Sequence, residues 1–217
     1  MATLDYERDP DAIYRQSFAT VAAECDLGHL PPDMHPVATR LIHACGMVGV
    51  AAHIAASGDA TTAGLAALRR GAPILCDARM VEMGIIARLL AAARAGAASS
   101  PVLTTLNDPA VPDLARRIGN TRSAAAVELW QPHLAGAVVV IGNAPTALFH
   151  LLELLDDGWP KPALILGFPV GFVGAAESKA ELATNPRGVP FMTLHGRQGG
   201  SAIAAAAVNA LAVEAAR

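Results

Sequence analysis

The sequence predicts an α/β fold built on a parallel sheet with both faces covered. Three observations lead there. Five short apolar runs recur after residue 70, each ends in a turn signal, and alanine-rich segments of helical character separate them. None of the runs alternates cleanly between apolar and polar residues, as a strand wetted on one face would. Strands and helices taken in turn imply parallel pairing through helical crossovers.

Residues 11–25 read as an amphipathic helix, with Ile13, Phe18, Val21 and Ala22 apolar and Tyr14 and Ser17 three apart on another face. A connector with three prolines follows over 28–36. Arg40-Leu41-Ile42-His43-Ala44-Cys45-Gly46-Met47 reads as a helix opening an uncharged run that lasts to Asp59, and a short alanine-rich helix covers 61–70. The predicted strands lie at 73–76, ending in Asp77; at 102–106, ending in Asn107-Asp108-Pro109; and at 137–141, ending in Gly142-Asn143-Ala144-Pro145. Two more lie at 163–166, ending in Gly167-Phe168-Pro169, and at 189–194, ending in His195-Gly196. Pro190 marks the last as an edge strand or one that starts late. Right-handed crossovers leave few topologies for five strands, and the flavodoxin-like doubly wound order is the simplest. The expected organisation is one domain over 1–217, with an α-helical N-terminal part over 1–70 and the sheet part over 71–217.

The chain is 53% hydrophobic and 16% charged, more apolar matter than one core absorbs, which predicts a symmetric homodimer. A net charge of −3 without a basic tract argues against nucleic acid. Stretches 41–58 and 134–152 approach the length of a membrane span, but glycines and histidines interrupt the first and Gly142-Asn143 and Pro145 break the second. No signal peptide or membrane association is therefore expected, and three scattered cysteines without a CxxC pair suit a reduced cytoplasm. No Cys/His set has metal-ligand spacing, so no metal is expected.

Arg40 and His43 share one face of an apolar helix. A guanidinium on such a helix costs several kcal/mol to bury unless an anion meets it, so the pair suggests the wall of an anionic ligand's site. A hydrogen-bonded core histidine and a snorkelling arginine are the plainer alternatives. Arg116, Arg117 and Arg122 fall within seven residues, with Thr121 or Ser123 able to cap the helix that follows. Arg122 stands out, because a cation is unfavourable at a helix start unless an anion is present. Gly142-Asn143 precedes a further helix start, where free backbone N–H groups attract carboxylates. Dinucleotide, P-loop, nucleophile-elbow and zincin signatures are all missing.

Together Arg40-Leu41-Ile42-His43-Ala44-Cys45-Gly46, Gly71-Ala72-Pro73-Ile74-Leu75-Cys76-Asp77, Gly119-Asn120-Thr121-Arg122-Ser123-Ala124-Ala125, Gly142-Asn143-Ala144-Pro145-Thr146 and Gly167-Phe168-Pro169-Val170-Gly171-Phe172-Val173-Gly174 resemble the precorrin-8X methylmutase family. The likeness runs in order from Tyr6 almost to the C-terminus. It implies a cofactor-free, homodimeric, cytoplasmic isomerase that moves a methyl group on ring C of a tetrapyrrole to give hydrogenobyrinic acid, in vitamin B12 biosynthesis. It further implies His43 as general acid, with Ser17, Arg40 and Arg122 on the substrate; on physical grounds the imidazole is expected to be buried near the ring. Tyr14, Thr121, Ser123, Gly142 and Asn143 complete the expected contacts. One departure is Gly84-Ile85-Ile86, where relatives often carry a hydroxyl. A cobalt-precorrin-8 substrate, a tetrapyrrole carrier and a flavodoxin-like nucleotide binder are the competing readings.

Overall fold

A computed structural model describes residues 4–94 and 100–217. Its elements, in chain order, are α1 (Pro10–Glu24), α2 (His35–Cys45), β1 (Ile54–Ala56), α3 (Ala60–Arg69), β2 (Ile74–Cys76), α4 (Arg79–Gly84), α5 (Ala87–Ala92), β3 (Val102–Thr104) and α6 (Val111–Ile118). Then come α7 (Arg122–Glu128), α8 (Gln131–Leu134), β4 (Val138–Ile141), α9 (Pro145–Asp156), β5 (Leu164–Gly167), α10 (Ala175–Thr184), β6 (Phe191–Leu194) and α11 (Ser201–Ala215). The alanine-rich stretch 89–100 lies partly outside the described residues.

The sheet has six strands in the order β1-β6-β5-β4-β2-β3. β2 through β6 pair in parallel, whereas β1 joins β6 antiparallel, with Ile54 opposite Leu194. The expectation of five strands is thus corrected to six, and the sixth comes from the stretch read as helical. The cause is Gly46, which takes a left-handed conformation (φ 67°) at the C-cap of α2 and stops the helix. The uncharged run then makes a 3₁₀ turn over Val48–His53 before extending as β1. β6 starts after Pro190, late as expected, but β1 covers its outer side, so it is not an edge.

Side chains of the parallel strands divide between two cores, as the pleat requires. Ile74, Val138, Val140, Leu164 and Leu166 face α2, α3 and α11. Leu75, Val139, Ile141 and Ile165 face α9 and Trp130. Burial on both faces explains why these runs lack alternation.

Asp77, 2% exposed, ends β2. Its carboxylate accepts the backbone N–H groups of Gly142 (2.9 Å), Asn143 (2.9 Å) and Ala144 (2.8 Å) at the turn from β4 into α9. Gly142 is needed there for space, since a Cβ would come within 2.8 Å of both Ala204 Cβ and Val81 Cγ2. No helix among the described residues is long and apolar enough to cross a membrane.

Candidate active site

α2 packs against α11 on one side and α1 on the other, and the site forms where these three helices meet the link between α4 and α5. α11 presents Ala202, Ala205 and Ala206, whose small side chains leave room for a cavity of about 560 Å³. That volume lies within the range typical of small-molecule sites.

His43 and Arg40, one helical turn apart on α2, both line this cavity. Ser17 Oγ on α1 lies 2.7 Å from His43 Nδ1. Tyr14 and Phe18, from the same helix, flank the imidazole at ring-centroid distances of 5.5 and 5.4 Å, Phe18 edge-on. The Arg40 guanidinium stands 5.2 Å over the Phe18 ring, a cation–π contact. α1 therefore commits Phe18 to the site, and of the four apolar residues on the expected core face only Val21 is buried. These contacts hold the imidazole from three sides, and among the described residues Nε2 has no hydrogen-bond partner. His43 also borders a second hollow of about 290 Å³, shared with Ser17, Thr20 and Glu24. The expectation of a buried imidazole is corrected: in this chain His43 is exposed.

The other predicted residues lie elsewhere. Thr121 caps α7, accepting the N–H of Ala124 at 3.2 Å, and its hydroxyl lies 2.8 Å from that of Thr146. Arg122 begins α7 and donates to Leu106 O at 3.3 Å; Ser123 is half-buried beside it. None of the three lines the cavity, nor do Gly142 and Asn143. The backbone N–H groups of Gly142 and Asn143 already serve Asp77, so an anionic ligand does not receive them and the expected contact through them is withdrawn. Burial pushes the Asp77 carboxyl above its usual range, against the pull of these three donors.

Sequence reasoning passed over Phe18, Asp77, Arg88 and Asn209. Asn209 left a signal, a polar side chain inside an otherwise apolar helix. Asp77 left none, because its partners lie 65 to 67 residues away. Among the described residues no group of three or more His, Cys, Asp or Glu is arranged to hold a metal.

Comparison with known proteins agrees across nearly the whole chain. The precorrin-8X methylmutase family matches residues 12–214. The precorrin-8X methylmutase of Pseudomonas aeruginosa is 61% identical over 211 residues, 97% of this chain and 99% of its own length. That of Sinorhizobium sp is 55% identical over 212 residues, 98% of each. The crystal structure of the precorrin-8X methylmutase from Thermus thermophilus superposes with a TM-score of 0.82 at 39% identity, over 95% of this chain and 96% of that one.

Proposed function

Given that the chain belongs to the precorrin-8X methylmutase family, and so is an isomerase of cobalamin biosynthesis acting by methyl migration, we propose that His43 is the general acid of that migration. The observation that carries this reading is the 2.7 Å contact between Ser17 Oγ and His43 Nδ1 at the cavity wall. With Nδ1–H donating to the serine oxygen, Nε2–H is free to protonate a nitrogen of the bound macrocycle. Protonation withdraws electron density from the conjugated system that carries the methyl group. The bond from the methyl carbon to one ring-C carbon then breaks as its bond to the neighbouring carbon forms, and the proton returns to the imidazole. Reactant and product are isomers, so nothing else enters or leaves.

General acid catalysis of this kind contributes roughly 10²–10⁴-fold. The remainder comes from holding the ring in a reactive shape, which distant carboxylate contacts support. Tyr14 and Phe18 offer the ring an apolar wall, and Arg40 offers a carboxylate a fork of donors. We assign Arg122, with Thr121 and Ser123 beside it, and the Asn143 side chain to carboxylates reaching beyond the cavity. The substrate is read as cobalt-free, as the names of the two relatives above suggest.

We further read the chain as a single domain whose five parallel strands form a flavodoxin-like sheet, and as a cytoplasmic homodimer. Support for the dimer comes from apolar side chains left in solvent, above all Phe172 and Val173, 86% and 87% exposed. Incubation with precorrin-8X tests the function. The expected result is a product of unchanged mass with a corrin-type spectrum and the methyl carbon relocated by ¹³C NMR. A bound spectrum that stays that of the substrate would mean a carrier instead.

A further inference from the structure

Arg88 lines the same cavity as His43 and Arg40, and among the described residues no hydrogen bond or ion pair engages it. It sits in the first turn of α5, the end of a helix where a cation gains nothing from the backbone dipole. Among the described residues neither Arg88 nor Arg40 has a carboxylate within salt-bridge reach, although Asp11 borders the same space. The segment just before Arg88 is held firmly. Asn209, from the floor of the cavity, donates through Nδ2 to Gly84 O (3.0 Å) and accepts the Ile86 N–H at Oδ1 (2.8 Å). Both amide ends of one side chain are thus spent on residues 84–86, where α4 ends and leads into α5. Gly84 permits the close approach, since a Cβ there would come within 2.7 Å of Ala205 Cβ.

We propose that Arg88 is a substrate-binding residue taking a peripheral carboxylate of the tetrapyrrole, and that Asn209 is the positioning residue that sets it there. The inference rests on reading this cavity as the substrate site. Arg40 on α2 and Arg88 on α5 then supply two separate guanidinium contacts, while His43 meets the ring itself. Two cations at separate points of the wall distinguish a ring bearing free carboxylates from one whose carboxylates are esterified, and they set its rotation relative to His43. Guanidinium suits this task because its planar donors meet a carboxylate two at a time.

The test compares wild type with Arg88→Gln, Arg88→Lys and Asn209→Leu. Hydrogenobyrinic acid and its methyl esters serve as binding probes, beside steady-state turnover of precorrin-8X. Loss of one charge-assisted contact raises KM for precorrin-8X and Kd for the free acid about tenfold or more in Arg88→Gln. The loss falls mainly on KM rather than kcat, and Arg88→Lys recovers part of it. Esterified product binds wild type and Arg88→Gln alike. Asn209→Leu raises KM in the same way, and combining it with Arg88→Gln adds little, as expected when one residue acts through the other. Turnover by wild type with an unchanged KM in Arg88→Gln overturns the Arg88 assignment alone. Equal weakening of acid and ester overturns it as well, because packing and not charge was then lost. Wild type that neither binds nor converts the tetrapyrrole overturns the cavity's assignment, and Arg88 with it.

Discussion

His43 and Ser17 meet across 26 residues of sequence, and the separate helices carrying them make the contact possible. If the imidazole is the proton donor, His43→Asn keeps the fold and loses activity by roughly 10²–10⁴-fold, read from initial rates beside an unchanged melting curve. Ser17→Ala removes only the partner of Nδ1. It should lower kcat by about tenfold, the worth of one hydrogen bond, with little change in KM. Spacing alone made Arg40 and His43 neighbours on one face, but it did not choose between a catalytic and a core histidine. Resemblance to a family tipped that balance; at the site Ser17 meets Nδ1, two aromatic rings stand beside the imidazole, and Arg40 lies over Phe18. Arg122 illustrates the opposite case. Its place at a helix start was legible, yet whether that start opens on the cavity depended on the packing of α7, which short-range pattern does not encode.

Five of the strands were legible because each is an apolar run closed by a turn residue. β1 was not, since Ile54-Ala55-Ala56 has two alanines, continues an apolar run of helical character, and finds its partner about 140 residues later. The turn from β4 into α9 shows how an element's start can mislead. Its N–H groups resemble an anion site in sequence, and the fold fills that site with its own carboxylate, Asp77. Asp77→Asn places an amide against three donors that it cannot all satisfy. The expected loss is about 1–3 kcal/mol, measured by urea unfolding, and tryptophan emission gives a convenient signal because Trp130 lies in the core on α9's side of the sheet.

Charge reaches the whole molecule's stability through Lys179, which is fully buried on α10 and donates to the Gln198 carbonyl. Burial pushes its amine down to about 8 from an ordinary 10.5. Between those values the unfolded chain binds the proton that the folded chain has released, so stability rises with pH across that window. The gain should be about 1–3 kcal/mol, and Lys179→Met should flatten the rise, as chemical denaturation at pH 7.5, 9 and 10.5 would show. A surplus of apolar side chains was visible in composition, but where it surfaces, around Phe172 and Val173, emerged only once the sheet and helices were assembled. His43, at the wall of the cavity, is the proposed proton donor. The most direct measurement is the visible spectrum after mixing precorrin-8X with wild type and with His43→Ala, each at a concentration that binds the tetrapyrrole fully. The account predicts that both bind and that wild type alone develops the corrin spectrum. Full-rate conversion by His43→Ala would contradict it.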